Sequence, residues 1–219
     1  MNVPATQIAL FSALFAATAL AEPFPLSFPP PALVGTPQPI KIDPEKIDKS
    51  SSPTTIDVPA GTQNLALGKA VSASDDLIVV GELDYITDGD KDGDEGYEVE
   101  LAPGLQWVQI DLQQSAKISA VALWHYHRQK RVYHDVVIQA SNDPDFKTAV
   151  YTLFNNDFDN SAGFGHGNDK VYIETHLGKI ITLPNDIPAM RYWRFYSNGN
   201  SSDSGNHYIE IELYGIPKP

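Results

Sequence analysis

The sequence has 219 residues, no cysteine and a formal net charge of −13 at pH 7, from 15 Lys and Arg against 28 Asp and Glu. This length suits one domain of ordinary size with residues left over. The lack of cysteine excludes disulfides, thiolate metal sites and thiol catalysis. The negative charge argues against nucleic acid and membrane partners, because both favour clustered Lys and Arg.

Residues 1–21 have the pattern of a secretory signal peptide. An apolar run from Ile8 ends in Ala19-Leu20-Ala21, the small-x-small motif that signal peptidases cut. A short membrane anchor is the alternative, but the run falls short of the ~20 residues that span a bilayer. We therefore expect a secreted or periplasmic protein, cleaved near Ala21.

Residues 22–62 have a different composition. Prolines crowd residues 24–39, and the run Ser50-Ser51-Ser52-Pro53 follows. This composition is typical of an extended spacer that does not supply a core. We expect a disordered Pro- and Ser-rich linker over 22–62 and a folded domain over 63–217.

Residues 63–217 have a β-strand pattern throughout. Short runs with alternating apolar residues, or with many β-branched and aromatic residues, are separated by clusters of turn-forming residues. No stretch predicts a long helix, so the pattern indicates a sandwich or a barrel. The predicted strands cover residues 106–112, 118–124, 136–141, 149–154, 179–183, 191–197 and 208–214.

Residues 84–100 hold eight carboxylates and one lysine in seventeen positions. This density of like charge needs either full solvation or a bound cation. Calcium fits best, because it accepts about six to eight oxygens in flexible geometry. An EF-hand is excluded, because its closing position falls on Val99 and no helix brackets the stretch. The alternative is a solvated acidic loop that binds no ion.

The last predicted strand offers two further carboxylates. Alternation sends Ile209, Ile211 and Leu213 to one face, and Glu210, Glu212 and Tyr214 to the other. The two glutamates are therefore placed to meet the acidic stretch around a cation, or to face solvent when no cation is bound.

Six segments resemble, in order, the landmarks of the discoidin family, also called coagulation factor V/VIII type C domains. They are NLALGK (64–69), DGD (88–90), QWVQIDL (106–112), VIQASND (137–143), AMRYWRFY (189–196) and EIELYG (210–215). The resemblance covers about residues 63–216. It implies an all-β fold: an eight-stranded antiparallel jelly-roll β-sandwich of the galactose-binding-domain type, with its two chain ends close together.

The resemblance also implies where calcium is bound. Bacterial sugar-binding members of the family hold the ion with the Asp of an Asp-Gly-Asn/Asp turn, neighbouring carbonyls and the first Glu of the last strand. The matching positions here are the side chains of Asp88 and Glu210 and the carbonyls of Tyr85, Asp90 and Ile209. Asp92 and Asp94 lie where the family often has a Ser or Thr ligand; Asp94 is included in the expected set, and which residue supplies the remaining ligand stays open. The implied ion is structural.

The expected ligand surface is the loop over 125–134, which combines histidines, basic residues and tyrosines. Planar donors suit vicinal sugar hydroxyls, and aromatic rings suit the apolar face of a pyranose. The loops at 155–169 and 198–208 are further candidates. The predicted ligand-binding residues are His125, His127, Arg128, Arg131, Tyr133, Asn198 and His207.

An alternative remains open for this loop. The Arg-x-Asp-x4-Arg spacing of fucose- and galactose-binding relatives is absent. In the alternative, Trp124, Tyr126 and Tyr133 pack into the core, while the basic residues pair with the acidic stretch.

Taken together, the features favour an exported, noncatalytic carbohydrate-binding or adhesion module with structural calcium and a glycan or extracellular polysaccharide as partner. A protein- or matrix-interaction domain of the cell envelope, with no glycan ligand, is the alternative. We do not expect an enzyme, because the sequence has no nucleophile elbow, His-rich metal triad or phosphate loop. His125 and His127 share a strand face, but no third zinc ligand is evident.

Overall fold

The computed structural model describes residues 20–217, so the predicted signal peptide over 1–21 lies outside these residues except for its last two. Within the described range, no helix is both long enough and apolar enough to cross a bilayer. One 3₁₀ helix covers Leu83–Thr87. The strands are β1 (Ala21–Pro25), β2 (Ile47–Asp48), β3 (Thr55–Pro59), β4 (Gln63–Asn64), β5 (Val71–Ala73), β6 (Val99–Leu101), β7 (Gln106–Ala116), β8 (Ile118–His125), β9 (Val137–Ser141), β10 (Tyr151–Asn155), β11 (Val171–Tyr172), β12 (Lys179–Thr182), β13 (Met190–Ser197) and β14 (Asn206–Gly215).

Two antiparallel sheets enclose the main core. The front sheet has the order β10-β9-β13-β7-β5, and the back sheet has the order β12-β8-β14-β4, with β6 also paired to β14. Both sheets contribute buried side chains to one cluster, including Ile110 and Trp193 from the front and Leu123 and Ile211 from the back. The predicted all-β jelly-roll class is confirmed, and each predicted strand is present within a few residues of its expected bounds.

The two sheets differ in how their outer faces are covered. In β7, Val108 and Ile110 are buried while Gln109 and Asp111 are half-buried, as alternation requires for a sheet with one face toward solvent. In β14 all ten residues are buried. Burial on both faces requires a further layer outside the back sheet, and the N-terminal residues supply it.

Residues 20–60 form this layer, which we call the N-terminal belt. β1 and β3 pair antiparallel, with Phe24 opposite Ile56. Leu26, Ile56 and Val58 pack with Ala120 and other back-sheet residues in a second apolar cluster. The segment expected to be a disordered linker is therefore ordered in the structure. In this segment apolar residues alternate with prolines along the chain. An edge strand accommodates proline, because the proline φ angle fits an extended backbone and no ladder hydrogen bond is lost.

The middle of the belt is also fixed to the domain. β2 pairs in parallel with β11, with Ile47 opposite Val171. Asp48 accepts a hydrogen bond from Lys179 Nζ at 2.8 Å. Burial opposes ionisation of Asp48, but the hydrogen bonds from Lys179 and Ser50 prevail and lower the pKa of this carboxyl to about 2. The belt thus contacts the domain near both of its ends and at its middle.

We expect Ile56→Ala to lower the free energy of unfolding by about 2–4 kcal/mol, because Ile56 is 4% exposed and its removal leaves a cavity beneath the belt. Leu33→Ala is the matched control within the belt, since Leu33 is 72% exposed, and it should change stability by less than about 0.5 kcal/mol. Urea denaturation measures both. Equal, negligible effects would show that the belt is detached in solution.

Candidate functional site

The acidic stretch is attached to the last strand through two contacts. The Gly89 N–H donates to Glu210 Oε2 at 3.2 Å. Lys91 Nζ donates to Glu212 Oε1 at 2.8 Å, and both side chains are buried. Gly89 has φ +90°, a conformation that favours glycine and allows the chain to turn toward β14. The predicted approach of the acidic stretch to both glutamates is confirmed.

A β-bulge in β14 changes the predicted alternation at this point. The pairing register with β8 shifts between Tyr208 and Glu210. Tyr208, Ile211 and Leu213 lie in the main core, whereas Ile209 lies in the second cluster with the belt. The prediction that Ile209 shares a face with Ile211 was therefore wrong, because a bulge inserts one extra residue into the strand. Bulges commonly redirect side chains next to binding sites.

A small cavity of about 10 Å³ lies where the acidic stretch meets β14. Four of the predicted calcium ligands line it: Tyr85, Asp88, Asp90 and Ile209. Its size is close to the space that one water molecule needs. Asp94 does not line this cavity and pairs instead with Arg128. The structure thus brings together most of the predicted metal residues and places Asp94 elsewhere.

Glu210 carries the strongest indication of a cation at this junction. Its side chain is fully buried, and Oε1 has no hydrogen-bond partner among the described residues. Burial raises the pKa of the Glu210 carboxyl to about 9, and the nearby carboxylates of Glu212 and Asp88 add to the rise. Glu210 does not line the small cavity, but Asp88, which does, lies near Glu210. These carboxylate oxygens are hard donors, which fit calcium.

The predicted ligand loop forms an internal polar network. His125 Nδ1 lies 2.8 Å from Glu174 Oε1, and the His125 ring stacks on Tyr133 with centroids 4.2 Å apart. The Tyr133 hydroxyl lies 3.0 Å from His207 Nδ1, and burial lowers the pKa of His207. His127 Nε2 lies 2.8 Å from the Lys91 carbonyl oxygen. All four of these aromatic side chains from the predicted set are buried, so they have little surface for a ligand.

The remaining predicted ligand-binding residues are paired within the protein. Arg128 forms its ion pair with Asp94, in the acidic stretch. Arg131 is 4% exposed, and its Nη1 donates to Asp203 Oδ2 at 3.1 Å. Asn198 Nδ2 donates to Asp135 Oδ2 at 2.8 Å. This arrangement matches the alternative in which aromatic residues of the loop pack inside and a basic residue pairs with the acidic stretch.

A larger cavity, of about 300 Å³, opens between the belt and the loops at this end of the sandwich. We call it the loop-end cavity. Its lining includes Lys41 and Lys46 from the belt, and Asp135, Asn156, Phe158 and Asp159 from the loops. Composition alone did not identify the belt residues, because they lie in the segment expected to be a linker. The loop containing Asn156 and Phe158 was among the predicted candidates.

Asn156 is the polar residue best placed to recognise a ligand in the loop-end cavity. It is 2% exposed, and its Oδ1 accepts a hydrogen bond from Val136 N at 2.7 Å. Its Nδ2 is buried and has no partner among the described residues. A buried donor without an acceptor is costly, so an acceptor supplied by water or a ligand would stabilise it. Lys46 Nζ lies 4.6 Å from the centre of the Phe158 ring.

Three carboxylates group beside this cavity: oxygens of Asp135, Asp157 and Asp159 lie within 4.8 Å of one another. Such a group can hold a cation. However, Asp157 already accepts hydrogen bonds from the backbone N–H groups of Ser161 and Ala162, and Asp135 accepts one from Asn198. These donors account for the grouping without an ion.

Comparison with known proteins finds matches among solved structures, whereas no protein-family model and no curated protein matches the sequence. One similar structure is chitosan-binding module 1 of a chitosanase/glucanase from Paenibacillus sp. IK-5, with 23% identity over 70% of this chain and 99% of that chain and a TM-score of 0.46. Another is the lectin domain of lectinolysin complexed with Lewis B antigen, with 15% identity over 71% and 98% and a TM-score of 0.49.

A family 89 glycoside hydrolase from Clostridium perfringens matches at a TM-score of 0.50, with 19% identity over 71% of this chain and 16% of that chain. The chain has a galactose-binding-domain-like jelly-roll fold. The expected discoidin-like resemblance is thus confirmed as a likeness of fold. Because fold alone does not determine function, the function has to be argued from the cavities and their residues.

We expect Glu174→Ala to lower the free energy of unfolding by about 1–3 kcal/mol, because it leaves the buried His125 Nδ1 without its partner. Glu174→Gln should cost less, since the amide oxygen still accepts a hydrogen bond. The exposed variant Asp145→Ala should leave the unfolding midpoint in urea unchanged. If Glu174→Ala unfolds at the wild-type urea concentration, the network does not stabilise the fold.

Proposed function

We propose that the chain is an exported, noncatalytic carbohydrate-binding module with a structural calcium ion, and that its glycan binds in the loop-end cavity. The observation that carries this proposal is that Asn156, whose buried Nδ2 has no partner among the described residues, lines a cavity together with Phe158, Asp135 and Asp159. Sugar sites combine apolar surface with a few placed polar groups.

The chemistry of recognition follows from these groups. The Asn156 amide is a donor for a ring or hydroxyl oxygen, and the carboxylates of Asp135 and Asp159 accept hydrogen bonds from sugar hydroxyls. The half-buried Phe158 ring offers an apolar face to a pyranose. Lys46 lies over this ring at 4.6 Å, so a pyranose that packs on the same face displaces the ammonium group.

Calcium at the junction between the small cavity and β14 would be held by the side chains of Asp88 and Glu210 and by the carbonyl groups of Tyr85, Asp90 and Ile209. Its role is to neutralise Glu210, whose ionised form is otherwise opposed by burial. The ion would then fasten the acidic stretch to β14, next to the existing Lys91–Glu212 contact. The ion has a structural role only and takes part in no reaction.

The noncatalytic part of the proposal is supported by the position of the titratable groups. The His125–Glu174 pair is the arrangement most like an acid–base couple, and both side chains are fully buried. A general base must reach the proton of a bound substrate, and this pair does not reach the surface.

We expect calcium to raise the melting temperature. At a calcium concentration about 100 times the dissociation constant, binding stabilises by about 2.7 kcal/mol, which corresponds to about 5–10 °C for a domain of this size. Asp88→Asn and Glu210→Gln should abolish the rise. Glu95→Gln is the matched control, since Glu95 is exposed, lies in the same acidic stretch and is not among the expected ligands. Identical melts in calcium and in chelator would contradict the calcium site.

We expect a glycan array in calcium-containing buffer to identify a ligand, and Phe158→Ala to weaken its binding at least about tenfold, the effect of losing one aromatic contact of about 1.4 kcal/mol. Tyr151→Ala, an exposed change on β10, should leave affinity unchanged. Titration calorimetry measures both variants. If folded, calcium-loaded protein binds no glycan on the array, glycan binding is refuted and a protein- or matrix-interaction domain is favoured.

A further inference from the structure

A second concave surface lies on the outer face of the front sheet, separate from the loop-end cavity. It is a cleft of about 530 Å³, which we call the sheet-face cleft. Its lining includes Trp107 from β7, Gln139 from β9, Arg194 and Tyr196 from β13, and Phe146 and Phe164 from flanking loops. Four aromatic residues and one arginine in a single cleft are an unusual concentration for the outer face of a sheet.

Arg194 is held rigidly at this surface. Its guanidinium carbon lies 4.2 Å from the centre of the Trp107 ring and 4.3 Å from that of Phe146. Nε donates to Gln109 Oε1 at 2.6 Å, and Nη2 donates to the Pro144 carbonyl at 3.1 Å. Stacking and hydrogen bonds together fix the plane of the guanidinium, so little side-chain entropy is lost when a ligand binds.

Arg194 also differs from the other three arginines in its charge partner. Arg128, Arg131 and Arg191 each pair with an aspartate. Among residues 20–217, no carboxylate lies within 4.0 Å of Arg194, and its Nη1 makes no hydrogen bond. In a chain with a net charge of −13, this guanidinium keeps its charge unpaired and its Nη1 donors free for an anion.

The neighbouring carboxylates are already occupied. Asp143 accepts hydrogen bonds from the backbone N–H groups of Asp145, Lys147 and Thr148. Asp145 pairs with Lys147 Nζ at 2.8 Å. The loop that carries Phe146 is therefore internally satisfied, and it leaves the positive charge of Arg194 for an external partner.

We propose that the sheet-face cleft is a second carbohydrate-binding site, which takes a sugar residue bearing a carboxylate. Guanidinium groups bind carboxylates through paired N–H donors, and the half-buried rings of Trp107 and Phe164 offer faces on which a pyranose packs. The Phe164 ring is itself supported by Tyr196, with centroids 4.5 Å apart. A neutral glycan would leave the free donors without their charged acceptor, and a second copy of this acidic chain would have to approach against like charge.

The test uses the full chain, hexamers of galacturonate, and the same hexamers with every carboxylate methyl-esterified. A panel of glucuronate and mannuronate oligomers covers other stereochemistries. At low salt, titration calorimetry should show binding of at least one acidic oligomer. The methyl ester should bind at least tenfold more weakly when galacturonate is the ligand, because it has the same sugar rings without the charge.

Variants separate the two sites. Arg194→Gln should weaken binding of the acidic oligomer at least tenfold, Arg194→Lys less so, and Trp107→Ala at least tenfold. Phe158→Ala, in the loop-end cavity, should leave the affinity unchanged. Thermal melts establish whether each variant is folded. If Trp107→Ala does not fold, Arg194→Gln still tests the proposal.

Three results would overturn the proposal: no binding by any acidic oligomer in the panel, equal binding of acid and ester, or full affinity in Arg194→Gln. Concentration-dependent dimerisation that Trp107→Ala abolishes would also overturn it, because the occupant would then be a second copy of the chain. Loss of acidic-oligomer binding in Phe158→Ala alone would assign that ligand to the loop-end cavity instead, which leaves the proposed function standing and this second site refuted.

Discussion

The burial of two glutamates on one strand is the constraint on which the rest of the structure depends. β14 pairs with β8, β4 and β6, so Glu210 and Glu212 lie inside the protein, where an unpaired carboxylate costs several kcal/mol. The acidic stretch provides a partner for each glutamate: the Lys91 ammonium group contacts Glu212, and the Gly89 N–H donates to Glu210. The second contact leaves one Glu210 oxygen unsatisfied, which is where the proposed ion would complete the junction.

The N-terminal belt determines which loops remain accessible. It covers the outer face of the back sheet near Trp124 and then reaches the ligand loop, where Val34 N donates to the Arg128 carbonyl at 2.7 Å. The loop expected to face solvent is thereby confined between belt and core. The proposed glycan site lies instead at the edge of the belt, where Lys46 contacts Phe158. The belt is therefore part of the wall of the proposed glycan site.

The local alternation of apolar and polar residues predicted the strands, but contacts between residues far apart in the sequence determine which side chains are accessible at the site. Alternation was sufficient for β7 and β13, because each has one face in the core. It failed at Ile209, because a bulge depends on pairing with β8. His125 and Tyr133 looked like surface residues by composition. Both are buried with distant polar partners: Glu174, 49 positions after His125, for His125, and His207 for the Tyr133 hydroxyl. No local signal identifies such pairs. The belt was missed because proline content obscured the alternation of Phe24, Leu26 and Phe28.

The two proposed sugar sites differ in charge yet share one structural unit. The loop-end cavity is lined by charges of both signs, Lys41 and Lys46 with Asp43, Asp135 and Asp159, whereas the sheet-face cleft centres on an unpaired arginine. The loop over 155–169 supplies Phe158 to the first and Phe164 to the second. Hydrogen bonds within this loop, such as Gly165 N to Asn160 Oδ1 at 2.7 Å, hold its segments together. The two sites therefore depend on the fold of the same loop, while the charged residues that line each site select different ligands.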